Sequence, residues 1–236
     1  MYRHSLRLLV ATVVLVSVVT PVTAETWVRA AGGLSHMAMG DIGGASFNFY
    51  DEPGAEATWG DVGTGFLLDL AAGHDVNRNW GVGFHWEHQW AGSTATDQGV
   101  DGDLNLKADF FLARLYWRPV HGGNWNLGLV SGLGYFFAGG SGKVTRGTVN
   151  YGESDLWGNS WSFDLALIGG WRLTDHAELQ VQVGGRYAVI DKFEIGKRVV
   201  HREDGTQAEL DYSGWQIKAG VRWSLGDSDP EAYSGL

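Results

Sequence analysis

The sequence predicts an all-β chain: an eight-stranded antiparallel up-and-down barrel that spans a membrane. Three observations predict it. Over residues 215–225 every odd position is apolar (Trp215, Ile217, Ala219, Val221, Trp223, Leu225), and no even position carries a large apolar residue. Successive side chains of a strand point to opposite faces, so this segment has one oily side and one wet side. The same alternation recurs along the chain, separated by connections that are short and long in turn. The chain also opens on residues 1–24, which read as a secretory signal peptide. Arg3, His4 and Arg7 precede an apolar run over 8–20, and Val22, Thr23 and Ala24 supply small residues at the cleavage positions.

The strands follow in order. The first, over about residues 27–39, sets Val28, Ala30, Gly32 and Leu34 opposite Arg29 and Ser35. The second sets Thr64, Phe66, Leu68 and Leu70 against Leu67, Asp69 and Ala71. The third sets Trp80, Val82, Phe84, Trp86, His88 and Trp90 against His85, Glu87 and Gln89. The fourth, over about 104–118, changes parity: Leu106, Ala108, Phe110 and Leu112 share one face, Leu115 and Trp117 the other. A β-bulge near Ala113 would reconcile them, because one extra residue flips the faces beyond it. The fifth runs from Trp125 on the oily face to Phe137. The sixth places Asp164 and Arg172 on its wet face, the seventh Gln180, Gln182 and Arg186, and the eighth Lys218 and Arg222. Short turns are expected at 74–79, 119–124 and 174–176, and long loops at 40–58, 91–103, 138–159 and 196–211. Tight periplasmic turns and larger external loops are the layout of outer-membrane barrels. An even strand count lets the last strand pair with the first, which removes exposed edges.

Alternation alone does not say which face looks outward. The oily face carries more large aromatic side chains than the narrow interior of eight strands can hold, whereas the other face is mostly glycine with a few long charged residues. The tryptophans also fall at strand ends. Trp27, Trp80, Trp117, Trp125, Trp171 and Trp223 are expected at the periplasmic ends, and Trp59, Trp90, Trp157, Trp161 and Trp215 at the external ends. Two aromatic girdles around an aliphatic band suit a bilayer, since Trp prefers the headgroup boundary. Turning the eighth strand over would push Lys218 and Arg222 into lipid, at roughly 2–4 kcal/mol each near the midplane.

The bulk numbers agree with this picture. Thirty-six glycines, four prolines and a 13% aromatic content argue against a disordered chain, and no cysteine is present for disulfides or lipid attachment. Removing residues 1–24 takes Lys+Arg from 17 to 15 and leaves 27 Asp+Glu, a net charge of −12. So acidic a chain is a poor nucleic-acid partner.

With the alternation goes the run Gly132-Leu133-Gly134-Tyr135 in the fifth strand, similar to a common glycine–aromatic run. Over about residues 25–225 the chain resembles the superfamily of small eight-stranded outer-membrane proteins of the OmpA-barrel, OmpX and OmpW kind. The resemblance implies a monomeric barrel over 25–225 and insertion by the barrel-assembly machinery of a Gram-negative envelope. It implies contact with outer-membrane lipid and lipopolysaccharide as well. Such proteins usually end on an aromatic residue, whereas here a tail over 226–236 follows Leu225.

Inside the lumen the sequence places Arg29, Asp69, Glu87, Asp164, Arg172, Arg186, Lys218 and Arg222. Buried charges need partners, so a network is expected. A tight turn at 174–176 would set Asp164 opposite Arg186. The network is expected to plug the barrel; an ion- or proton-conducting path is the alternative. His85 and Glu87 share the lumenal face while His88 points to lipid, which argues against a joint zinc site. Asp97, Asp101 and Asp103 read as a solvated turn, with calcium the alternative. The fourth loop reads as a hairpin around Glu203-Asp204-Gly205-Thr206, and residues 143–151 read likewise within the third. No catalytic, cofactor or metal residue is expected. His88 and Ser131 both face outward but are separated by the fourth strand. The leading expectation is a non-enzymatic barrel acting through its external loops, with an external protein partner, or as an envelope-stabilising element. The alternatives are an OmpW-like carrier of small hydrophobic molecules and, third, a lipid A-modifying enzyme. The carrier needs an apolar interior, where the sequence offers only Leu67, Val130 and Ile168 as sizeable apolar residues.

Overall fold

Alternating side chains commit the long segments to extended backbone, and pairing closes them into a ring. The computed structural model describes residues 25–38, 46–48, 56–58, 63–97, 100–195, 198–199 and 206–226. The signal segment, Trp59 and the tail beyond 226 lie outside the described residues. The eight barrel strands are β1 (Glu25–Met37), β2 (Thr64–Asp75), β3 (Trp80–Asp97), β4 (Val100–His121), β5 (Trp125–Arg146), β6 (Val149–Arg172), β7 (Ala177–Tyr187) and β8 (Gly214–Ser224). Each pairs antiparallel with its sequence neighbour, and β8 pairs with β1 along Trp27↔Ser224 to Met37↔Gly214. Closure leaves the ring without a free edge at the membrane level.

The outer wall is apolar. Leu70, Leu129, Leu165, Leu167, Val181, Val183 and Ile217 are all exposed on it. At one end the connections are tight. Asn77 Oδ1 accepts from the backbone N–H of Asn79 (2.9 Å) and Trp80 (3.0 Å), and Thr174 Oγ1 from those of His176 (3.3 Å) and Ala177 (3.0 Å). Short polar side chains stabilise turns in this way.

The other end corrects the sequence reading. Residues 91–103 and 138–159 do not form long loops. β3 and β4 stay paired to Asp97↔Val100, and β5 and β6 to Arg146↔Val149, where Gly147 takes φ 57° in the turn. Their inward positions include Val144 and Leu156, buried with Leu104 and Leu106, and their backbone groups close a ladder. The strands thus stand roughly 20 Å beyond Trp90 at strand rise. Asp101 and Asp103 sit in this ladder opposite Thr96 and Thr94, not in an open turn. The fourth connection also differs. Val189–Ile190 pairs with Leu210–Asp211, and Glu194–Ile195 pairs with Arg198–Val199 and with Trp157 and Leu156 of β6. Most of the expected hairpin tip, at 203–205, lies outside the described residues.

The bulge expected near Ala113 is absent. β4 pairs with β3 without a break from Trp117 to Val100, and the register against β5 shifts only between Trp117 and Val120. Pro119 sits in that shift, and proline has no N–H to give the ladder. Hence Leu104, Leu106, Phe110 and Leu112 face inward along with Arg114, Tyr116 and Arg118, and all are buried.

Candidate functional site

Among the described residues, ionisable side chains concentrate in the interior, and register builds the site. Asp69 on β2 lies directly opposite Glu87 on β3. Like charges so placed repel, so cations must come between them. Lys218 Nζ from β8 meets Asp69 Oδ2 at 3.2 Å and also Glu87 Oε1. Arg114 from β4 spreads its guanidinium over all three carboxylates: Nη1 lies 3.3 Å from Asp69 Oδ2, Nη2 lies 2.6 Å from Glu87 Oε1, and Nε donates to Asp164 Oδ2 at 3.1 Å. Gly132 of β5 makes that reach possible. It stands between Arg114 and Asp164 in register, and a Cβ there would fall 2.2 Å from Asp164 Oδ1.

Arg186 and Arg29 complete the cluster. Asp164 faces Arg186 across β6–β7, as the turn length predicts, with 3.7 Å between Asp164 Oδ2 and Arg186 Nη2. Arg186 also pairs with Glu87 Oε2. Arg29 Nη1 donates to Asp69 Oδ2 at 3.2 Å and to Gln182 Oε1 at 3.3 Å. Four cations (Arg29, Arg114, Arg186, Lys218) therefore enclose three carboxylates (Asp69, Glu87, Asp164) at essentially no exposure. An unpaired ion in such a place would cost several kcal/mol.

Towards the end with the tight turns lies a second ionic group. Asp75 accepts from Arg118 and Arg222 at 2.5 Å each and from Trp27 Nε1 at 3.1 Å. Trp27 is thus not a girdle residue. It shares the inward parity of Arg29 and is buried, 5.2 Å beneath the Arg222 guanidinium and edge-on to Tyr116. Its indole N–H meets a carboxylate instead of a headgroup. Arg172 also lies at this mouth, half-buried opposite Glu178, apart from the central cluster.

The remaining described girdle residues do stand on the outer wall. Trp80 stacks on Trp117 at 6.0 Å, Trp125 lies opposite Trp171, and Trp223 is exposed nearby. At the other end Trp90, Trp157, Trp161 and Trp215 are exposed, Trp215 stacked on His36 at 5.8 Å.

The outer half of the lumen was not expected. Met37, Leu104, Leu106, Phe110, Leu112, Phe136 and Val144 line it, and Ile190, Phe193, Leu210 and Tyr212 fold in from the fourth connection to cap it. Phe110 and Phe136 stack at 4.9 Å, with Tyr212 edge-on to both. Burial alone pushes the Tyr212 phenol above its ordinary value, so this layer stays uncharged. Arg186 marks the border, its guanidinium 3.9 Å from the Phe110 ring.

Sequence reasoning missed Arg114, Tyr116 and Arg118. Their shared even parity with Leu112 was the available signal. Asp69, His85 and Glu87 bring possible metal-ligand atoms within 4.8 Å of one another. Lys218 and Arg114 already occupy those carboxylates, and His85 is held by Asp69 at 2.8 Å and Tyr116 at 2.5 Å. The donor set is spent on protein partners.

No family model matches the chain, and no curated protein does. Among solved structures it is similar to small outer-membrane barrels. Neisserial surface protein A is 13% identical, with a TM-score of 0.44, covering 85% of this chain and 97% of that one. OprG of Pseudomonas aeruginosa is 16% identical, with a TM-score of 0.48, covering 87% and 98%. The attachment invasion locus protein of Yersinia pestis is 15% identical, with a TM-score of 0.44, covering 86% and 100%. At these identities the likeness is one of fold.

Proposed function

We propose that the chain is a non-enzymatic outer-membrane protein, exported by residues 1–24, whose lumen is sealed and whose working surface is external. The observation that carries this reading is the continuous filling of the interior: an ionic layer below, an apolar layer above, and a cap from the fourth connection. Such a barrel has no water path through its middle. What it offers its surroundings is a stiff wall and the sheet that β3–β6 raise above Trp90, the part available to an external protein partner. Planar-bilayer recording tests the seal. The expected record is free of unitary current steps; reproducible stepwise conductance would refute the plug.

A second reading, a carrier of small hydrophobic molecules, draws support from the apolar outer half. Its side chains are packed against one another with 0–3% exposure, so a cargo would have to displace the cap. Uptake of an apolar dye into vesicles holding the barrel should match protein-free vesicles. Faster uptake would favour the carrier. A heated-versus-unheated gel comparison of membrane extract tests the barrel in the membrane directly, with slower migration after boiling or faster before it expected.

A further inference from the structure

Among the described residues, the lipid-facing wall carries an ionisable pair that a plain hydrophobic band would not include. His88 on β3 and Asp109 on β4 stand opposite each other, and both point outward. His88 Nδ1 donates to Asp109 Oδ1 at 2.7 Å, and Trp86 Nε1 donates to the same oxygen at 2.9 Å. Asp109 Oδ2 and His88 Nε2 have no hydrogen bond among the described residues, and the two side chains are 38% and 16% exposed. Ionisable groups at membrane depth are costly and mark functional positions.

One step outward along the same strands, Trp90 lies opposite Lys107, which has no ion pair among the described residues. At strand rise and a tilt of about 45°, this pair sits about 5 Å nearer the external face than His88 and Asp109. A surface depression of about 570 Å³ opens there, bordered by Phe66, Trp90, Asn105, Lys107, Ser141 and Asp155.

We propose that this patch binds a phosphorylated glycolipid of the outer leaflet. The inference rests on the outer-membrane placement above and adds a ligand and a site to it. Asp109 Oδ2 is a carboxylate oxygen with no partner among the described residues, so it is an acceptor turned toward the lipid beside His88 Nε2. The group that meets Oδ2 must therefore donate: an amide N–H or a hydroxyl at the acyl attachment. A glycerophospholipid has only ester carbonyls at that depth, which accept and do not donate. Further out, Lys107 meets the phosphate. Asn105, Ser141 and Asp155 meet sugar hydroxyls, and the Trp90 ring meets a sugar face. The wall thus presents its groups in the order in which such a lipid carries their complements along the membrane normal.

Native mass spectrometry of the detergent-folded barrel tests this, with monophosphorylated lipid A and phosphatidylglycerol as separate probes. Wild type should bind lipid A about tenfold more tightly than phosphatidylglycerol, a difference of about 1.4 kcal/mol. The double variant His88→Leu/Asp109→Leu should lose that preference. Leucine suits a lipid-facing wall, so this variant should keep the heat-dependent gel mobility of the wild type. Lys107→Gln should weaken lipid A binding and leave discrimination by the acyl linkage in place. Equal binding of both probes to wild type, or unchanged binding by the double variant, overturns the site while the barrel stands. A chain with no heat-dependent mobility overturns the placement and the site together.

Discussion

The inner half of the lumen is filled with ions and the outer half with hydrocarbon, within one wall and on the same strands. On β4 the change comes between Leu112 and Arg114, adjacent positions of one face. The ionic layer depends on direction. Asp69 Oδ2 accepts from Arg29, Arg114 and Lys218 at 3.2–3.3 Å, so each cation is fixed by the others. The apolar layer depends on volume, with Phe110 and Phe136 stacked, Tyr212 edge-on to both, and no bond to lose at their centre. The first should fail when one member is removed, because a buried charge is left unpaired. The second should fail in proportion to the space opened.

The largest expected effect follows from that contrast. Arg114→Met removes the group shared by Asp69, Glu87 and Asp164 and should destabilise the barrel by about 3–5 kcal/mol, the cost of breaking a buried pair. Denaturant unfolding in lipid vesicles, followed by gel mobility, would measure it. A loss below about 1 kcal/mol would mean that the cluster is less closed than its distances imply. Phe136→Ala should cost about 3 kcal/mol by cavity formation. The two variants should also part in planar bilayers. The intact ionic layer still seals the Phe136 variant, whereas Arg114→Met opens the layer that excludes ions. Conductance from the Phe136 variant alone would reverse the roles assigned to the two halves.

The same contrast decides what the sequence could reveal. A charged residue in a membrane barrel states its facing, because lipid penalises it. Asp69, Glu87, Asp164 and Lys218 therefore fixed the parity of β2, β3, β6 and β8, and the turn at 174–176 set Asp164 against Arg186. A leucine makes no such statement. In a water-soluble protein it points to the core, but here both the lipid and the outer lumen accept it. Leu106, Phe110 and Leu112 were accordingly assigned with the wall residues of other strands, and a bulge was needed to explain Leu115 and Trp117. The unbroken even parity from Leu104 to Arg118 was present throughout, and the two arginines at its end could have oriented all of it. The projecting parts of β3–β6 are legible only in part: residues 143–151 read as a hairpin, but beyond the bilayer the outward face need not be apolar, so the inward row of Leu104, Leu106, Val144 and Leu156 is the one trace of the longer ladder.

Smaller changes separate the halves more finely. Gly132→Ala would place a Cβ 2.2 Å from Asp164 Oδ1 and 2.9 Å from Arg114 Cγ. Both groups are pinned by other bonds, so about 2 kcal/mol of destabilisation is expected, within the range for overpacking. Gly158→Ala makes its closest approach, 2.8 Å, to Ile190 Cγ2, with Phe193 Cβ at 3.4 Å. Ile190 belongs to the cap and can give way, so a loss of about 1 kcal/mol or less is expected. Paired unfolding curves would check the order. If Gly158→Ala proved the costlier, the apolar half would be the more rigid one.

The smallest effect tests Trp27, which lies inside the barrel and not in the girdle. Trp27→Phe keeps a ring beneath Arg222 and beside Tyr116 but removes the N–H that meets Asp75 at 3.1 Å. Asp75 retains Arg118 and Arg222, so the loss should be about 1 kcal/mol, the net value of one hydrogen bond. Trp223→Phe should cost less, since Trp223 is exposed on the outer wall. Fluorescence distinguishes the two sites without relying on stability. Brominated acyl chains should quench a variant that retains only Trp223 and leave one that retains only Trp27 bright, because the barrel wall stands between Trp27 and the lipid. Equal quenching would put Trp27 back on the outer face, and with it Arg29, which shares its parity on β1.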